Sequence, residues 1–113
     1  MTALPAHPGL ASGRWHTMSL VAQLANIGSE VERAIRARAQ GNADRSALAV
    51  ARALELFDLT ATDSRWTGHR RREVLRTREL FCSLFFSASP VAGDAEYLRK
   101  YFLEFAVAAR RRG

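Results

Sequence analysis

The sequence predicts an all-α protein, an up-down-up-down four-helix bundle with a flexible N-terminal arm. Apolar residues recur every three or four positions along four segments, no segment alternates apolar and polar residues as a half-buried strand does, and short turn-forming segments join the four. Short connections make neighbouring helices antiparallel, and 113 residues leave room for a single core.

Residues 1–14 form the predicted arm, because they hold two of the three prolines in the chain. Residues 15–113 form the predicted single four-helix domain. Trp15 stands at the start of this domain, and we expect its indole to fold back over that end of the bundle.

The first predicted helix covers about residues 18–40. Its apolar face has spacings of four, three, four and four, and consists of Leu20, Leu24, Ile27, Val31 and Ile35. Thr17 or Ser19 is the expected N-cap, and Gly41 followed by Asn42 is the stop signal.

The interior of this helix carries two further features. Gly28 costs up to about 1 kcal/mol relative to alanine at such a position, so we expect another helix to cross closely there. Asn26, Glu30 and Arg33 lie on one stripe beside the apolar face. This polar row is either part of a site or an intrahelical ion pair with a boundary residue.

The second predicted helix covers about residues 43–62, with Asn42 or Asp44 as its cap. Its apolar stripe consists of Ala47, Val50, Ala51, Leu54, Phe57 and Ala61. Residues 62–68 then break the helical pattern with turn-forming residues, and we expect Trp66 to anchor this loop.

The third predicted helix covers about residues 69–87 and the fourth about residues 94–112. Pro90 in the loop between them cannot continue a helix, and Asp94 is a good N-cap. The stripe of the fourth helix consists of Leu98, Tyr101, Phe102, Phe105 and Ala109. The second half of the third helix is apolar nearly all round.

Aromatic residues cluster across the connection between the third and fourth helices. Because Phe85 and Phe86 point about 100° apart on a helix, one bundle interior does not easily accept both. A helix that is apolar all round is either wholly buried or covered by a partner. We therefore predict a homodimer or protein-partner interface formed by Phe81, Phe85, Phe86, Tyr97 and Tyr101. The alternative is a thick monomeric core with the tyrosine hydroxyls at its edge.

A basic segment leads into the third helix. It forms a candidate anion or nucleic-acid patch, because such a cluster neutralises phosphates, and it consists of Arg65, His69, Arg70, Arg71, Arg72 and Arg76. The alternative is a solvated helix start whose cations pair with acids such as Asp58 or Asp63. The formal net charge of +6 permits an acidic partner without naming one.

Motifs for the common catalytic chemistries are absent from the sequence. There is no Glu-x-x-His pair, no phosphate-binding glycine loop and no nucleophile elbow. Small helical ribonucleases of toxin systems place more residues between arginine and histidine than separate Arg65 from His69. We therefore predict no catalytic residues, no metal site and no cofactor.

The cysteine count and the hydropathy bear on the compartment. Cys82 is the only cysteine, so an internal disulfide is impossible and a reducing, cytoplasmic location is predicted. No apolar run approaches the roughly 18–20 residues that a membrane span needs. We therefore expect no membrane partner.

Three strings in the sequence carry a resemblance to a known group of proteins. They are NIGSEVERA at residues 26–34, RALELFDLT at residues 52–60 and YFLEFA at residues 101–106. Over about residues 15–110 the chain resembles a little-studied group of small all-helical bacterial proteins of unknown function. The resemblance implies a bacterial origin and carries over no activity.

These observations together predict a non-catalytic helical interaction protein that self-associates, as a dimer, through the aromatic end of its third and fourth helices. Nucleic-acid binding at the arginine-rich start of the third helix is the alternative function. A small helical ribonuclease is the least favoured one.

Overall fold

The computed structural model describes residues 13–112 as a short 3₁₀ turn followed by four α-helices. The turn covers Arg14–Thr17, and the helices are α1 Leu20–Ala39, α2 Ala43–Ala61, α3 Gly68–Phe86 and α4 Asp94–Arg112. The predicted all-α four-helix bundle is confirmed, with every helix end within two residues of its predicted place. Most of the predicted arm, residues 1–12, lies outside the described residues, and Arg14 already belongs to the turn.

The helix starts follow the capping residues of the sequence. The Ser19 hydroxyl accepts a hydrogen bond from the backbone N–H of Ala22, and the Asn42 side chain accepts one from the N–H of Arg45. Gly41 has a φ of 73°, which a residue with a Cβ rarely adopts, and this allows the tight turn from α1 into α2. Ser19 and Asn42 thus cap α1 and α2 as expected, whereas Asp94, predicted as a cap, is the first residue of α4.

The core lies between all four helices and is centred on the Phe57 ring of α2. Helix α1 packs most extensively against α2 and α4, while α3 packs more loosely against the same two helices. The Phe57 centroid is 5.7 Å from that of Phe81 on α3 and 6.1 Å from that of Phe102 on α4. Ile27 and Val31 complete this core from α1.

Gly28 is the point where α4 crosses α1. A Cβ at this position would lie 2.7 Å from Cβ of Phe102, which is closer than real carbon atoms approach. The expected close crossing is therefore confirmed, and the glycine is required by tertiary contact rather than by the helix itself.

A buried carboxylate organises one end of the bundle. Asp63 lies in the loop between α2 and α3, and its side chain is 3% exposed. It accepts hydrogen bonds from Nη2 and Nε of Arg65 at 2.7 and 3.0 Å, from Nε2 of Gln23 at 3.1 Å and from Nδ1 of His16 at 3.1 Å. The guanidinium of Arg65 is the main reason that the pKa of Asp63 is held well below its usual range.

The fully buried amide of Gln23 connects this carboxylate to both tryptophans. Its Nε2 donates to the carbonyl of Trp15 at 3.0 Å, and its Oε1 accepts from Nε1 of Trp66 at 2.8 Å. Nε1 of Trp15 donates to the Thr60 hydroxyl at 3.0 Å. Trp15 therefore covers the start of the bundle and Trp66 anchors the loop, as expected from the sequence.

Within residues 13–112, none of the helices has the length and apolar character required to cross a membrane.

Replacing Gly28 by alanine is expected to destabilise the protein by about 1–2 kcal/mol, because the added methyl group overpacks the crossing by more than the gain in helix propensity. The midpoint of urea unfolding measures this change. Ser29→Ala is the matched control, since Ser29 is exposed on the same helix and the replacement should be neutral or slightly stabilising. Equal midpoints for the two variants would show that α4 does not cross at Gly28.

Replacing Asp63 by asparagine is expected to lower the free energy of unfolding at neutral pH by about 2 kcal/mol, because Arg65 loses a charged acceptor. The lowered pKa of Asp63 means that its contribution is complete at neutral pH and decreases as the pH falls below about 5. Denaturant unfolding at several pH values should therefore show a weaker acid dependence for Asp63→Asn than for the parent protein.

Asp58→Asn is the control for this experiment. The Asp58 side chain is 61% exposed and pairs with Arg78 at 2.9 Å, so its loss should cost less than about 1 kcal/mol. If the two aspartate variants lose the same stability, the Asp63 carboxylate does not organise this end of the bundle.

Candidate functional site

The aromatic residues predicted to form one interface occupy three different environments. Phe81 is fully buried in the core, between the rings of Phe57 and Phe85. Its assignment to a contact surface was therefore wrong. The core has to be filled where α3 passes α2 and α4, and one phenylalanine of α3 must point inward to fill it.

Phe85 and Phe86 border an apolar groove. The groove has a volume of about 530 Å³ and lies between the C-terminal end of α1, the first half of α2 and the last turn of α3. The Phe86 ring stands at its edge and is 66% exposed. We call this surface the Phe86 groove, and its other lining residues include Ala47, Val50, Ala51 and Leu54.

The Phe86 groove exists because the core covers only part of the apolar face of α2. The core buries Ala49, Ala53 and Leu56, which lie to one side of the predicted stripe. Ala47 and Ala51 stay exposed on the other side. The predicted apolar residues of α2 thus serve two surfaces, one facing the core and one facing solvent.

Arg38 is the only charged side chain that lines the Phe86 groove among the described residues. Its guanidinium carbon lies 4.3 Å from the Phe85 ring centroid, and its Nη1 donates to the carbonyl of Leu84 at 2.8 Å. Arg38 therefore holds the last turn of α3 against α1 and supports the aromatic edge of the groove. The sequence reasoning missed this residue, since only the fold brings α1 beside the end of α3.

Tyr97 and Tyr101 face a second groove, on the other side of α3. This groove has a volume of about 310 Å³ and is lined by both tyrosines together with His69, Arg72 and Arg76. The two phenol rings are stacked, with an interplanar angle of 19° and centroids 6.5 Å apart. We call this surface the tyrosine groove. It contains two residues of the predicted interface and three residues of the predicted basic patch. In the sequence these two sets are separate features.

Tyr101 is held in place by an acid at the base of the tyrosine groove. Its hydroxyl donates to Oε1 of Glu73 at 2.8 Å. Burial of the phenol, reinforced by this acceptor, raises the pKa of Tyr101 well above its ordinary value. Tyr101 therefore remains a neutral donor, while Tyr97 beside it is 58% exposed.

Two members of the predicted basic patch make contacts within the fold. Arg65 binds Asp63, donates to the carbonyl of Met18 at 2.7 Å and covers the Trp66 ring. Arg71 donates to the carbonyl of Ala61 at the end of α2 at 3.1 Å. Arg65 is therefore used within the fold, and its assignment to an anion surface is corrected. Arg71 is exposed beside its contact with α2, so its place in the candidate anion patch stays a prediction.

The other four members of the patch, His69, Arg70, Arg72 and Arg76, are exposed along the first half of α3. The acids named as alternative partners are engaged by arginines, Asp63 by Arg65 and Asp58 by Arg78. The predicted pairing with acids is therefore correct for Arg65 and Asp63, whereas Arg78, which binds Asp58, lies in the second half of α3 outside the candidate patch.

The remaining polar features take local roles. Arg33 pairs with Glu30 one turn away at 2.9 Å, and the Asn26 side chain donates to the carbonyl of Ala22. The described part of the chain contains no group of three or more histidine, cysteine or acidic residues placed to hold a metal ion.

The arrangement thus offers an apolar groove and an aromatic, basic groove on opposite sides of α3. Both are suited to binding. Comparisons with models of protein families, with curated proteins and with solved structures found no match for this chain.

Proposed function

We propose that this protein is a non-catalytic interaction protein that self-associates through the Phe86 groove. The observation that carries this proposal is an exposed phenylalanine at the edge of an apolar groove of about 530 Å³. Apolar area of this kind gains stability when it is covered, at about 25 cal/mol per Å².

A second copy of the chain is the partner that this surface fits. The exposed Phe86 ring lies at the edge of the Phe86 groove. A twofold axis would therefore place each Phe86 in the groove of the other copy. Burial of each ring would contribute roughly 1.5–3 kcal/mol, and a symmetric dimer buries two. Arg38 is the one charged residue among the described lining residues. It already contacts Leu84 and Phe85, so it offers little to select a charged partner.

A cytoplasmic location is part of the same proposal. Cys82 is the only cysteine of the sequence and is partly buried on α3. Its Sγ lies 3.8 Å from Nη1 of Arg78. A reducing compartment keeps a thiol of this kind free.

Phe86→Glu is expected to keep the protein monomeric, because a carboxylate cannot enter the apolar groove of a second copy without a large desolvation cost. Sedimentation at increasing concentration measures this, with the parent chain approaching twice its mass of 12.6 kDa and the variant remaining at that mass. Leu103→Glu is the matched control, since Leu103 is 58% exposed on α4 away from the groove. A parent protein that stays at 12.6 kDa at millimolar concentration would exclude self-association.

Single-stranded nucleic acid is a second candidate ligand, favoured by the composition of the tyrosine groove. An exposed ring such as Tyr97 provides a platform for base stacking, and Arg72 and Arg76 beside it can neutralise phosphates. Tyr97 and Tyr101 are distant from these arginines in the sequence, and the packing of α4 against α3 brings the rings beside them.

If this candidate is correct, a labelled single-stranded RNA should bind at low salt, and its affinity should fall steeply as salt is added. Arg72→Glu/Arg76→Glu should abolish binding, and Tyr97→Ala should weaken it by about 10-fold through loss of stacking. Fluorescence anisotropy measures both effects. Arg45→Glu/Arg52→Glu changes the net charge by the same amount on another surface, so an equal loss in this control would mean that only net charge attracts the RNA.

A further inference from the structure

A third groove, between the second half of α1 and the first half of α2, is rimmed by arginines. It has a volume of about 370 Å³, and its lining includes Arg33, Arg36, Arg45 and Arg52. The buried residues Ala37 and Ala49 lie between them, and Leu48 on the rim is 51% exposed. We call this surface the arginine groove. It shares no lining residue with the Phe86 groove or the tyrosine groove.

The positive charge of this groove is only partly neutralised by the protein. Arg33 pairs with Glu30 at 2.9 Å. Arg36 lies 3.4 Å from Glu32, a carboxylate that Arg99 of α4 already binds through two nitrogens at 2.9 and 3.1 Å. Within residues 13–112, the guanidinium groups of Arg45 and Arg52 make no hydrogen bond or ion pair.

Four arginines around one groove favour an anion with planar, two-oxygen acceptors. The guanidinium group donates two parallel hydrogen bonds to a carboxylate or a phosphate, and it is less strongly hydrated than a lysine ammonium. Arg45 and Arg52 lie two helical turns apart on α2, so a ligand that carries two anionic groups can engage both.

The other lining residues indicate whether the anion is a carboxylate or a phosphate. Among the described residues, no aromatic ring on which a base could stack lines this groove, in contrast to the tyrosine groove. Alanines and an exposed leucine instead provide apolar contact, which suits the side chains of a peptide. A groove between two helices is also a shape that binds an amphipathic segment through its apolar face.

We propose that the arginine groove binds an acidic peptide segment of a partner protein, with carboxylates held by Arg45 and Arg52 and an apolar side chain packed against Leu48. This inference goes beyond self-association and uses a different surface. Its failure would therefore leave the Phe86 groove unaffected.

The test uses a fluorescein-labelled peptide of glutamates interspersed with leucines, and the full-length chain at low salt. Binding measured by fluorescence anisotropy should weaken about 100-fold in Arg45→Glu/Arg52→Glu. Arg45→Lys/Arg52→Lys should weaken it about 10-fold, because lysine keeps the charge but cannot make the paired hydrogen bonds. Leu48→Ala should weaken it about 5-fold through lost apolar contact.

Three controls separate this site from general attraction to a basic protein. The same peptide with glutamine in place of glutamate should not bind. Arg72→Glu/Arg76→Glu carries the same change in net charge and should bind the acidic peptide as the parent does. Circular dichroism should show an unchanged helical content in every variant, since none of the replaced side chains belongs to the core.

Any of three results would overturn the proposal. The first is no binding of the acidic peptide by the parent protein, and the second is equal weakening by both arginine-to-glutamate double variants. The third is a single-stranded RNA that binds more tightly than the peptide and is lost in Arg45→Glu/Arg52→Glu, which would assign the groove to nucleic acid.

Discussion

The rotation of α3 about its own axis is the constraint on which the surface chemistry of this protein depends. Phe81 has to point inward to meet Phe57 at the centre of the core. With that ring inside, the helical period of 3.6 residues directs Phe85 and Phe86 toward α2 and directs Glu73 and Thr77 toward α4. One buried ring thereby assigns the aromatic and the basic side chains of α3 to two different grooves.

A second constraint is the limited area that a small core can cover. Each helix can bury only one face, and α2 carries more apolar surface than its neighbours reach. Ala47 and Ala51 remain outside as part of the Phe86 groove, while Ala49 and Ala53 enter the core. Helix α4 packs closely against α1 at Gly28, while α3 packs more loosely against its neighbours.

The hydrogen-bonded group around Asp63 explains why a charged cluster in the sequence is a poor guide to a charged surface. Arg65 comes first in the basic segment, yet its guanidinium is used within the fold, where Asp63 raises its pKa further. The Asp63 carboxylate is buried and needs several donors, and Gln23 and His16 reach it from the start of the domain. An arginine with such a partner stabilises the junction of α2 and α3 and is not available to a ligand.

The chain by itself determined the four helices, because their signals are local. The apolar spacing of α1, the caps at Ser19 and Asn42 and the turn at Gly41 all act within a few residues of where they stand. Gly28 also predicted a helix crossing, because a glycine in a helix interior is unfavourable unless a tertiary contact requires it. These features are read correctly without knowledge of the fold.

Tertiary structure alone decided which side chains are free to bind. The hydrogen bonds that occupy polar side chains within the fold join positions far apart in the sequence. Examples are Gln23 with Trp66, Glu32 with Arg99, and Glu73 with Tyr101. For the same reason, the pairing of Tyr97 with Arg72 and Arg76, and the meeting of arginines from α1 and α2 in one groove, follow from how the helices rotate and pack. Periodicity states which face of a helix is apolar, but only packing decides how much of that face is covered and what lies opposite it.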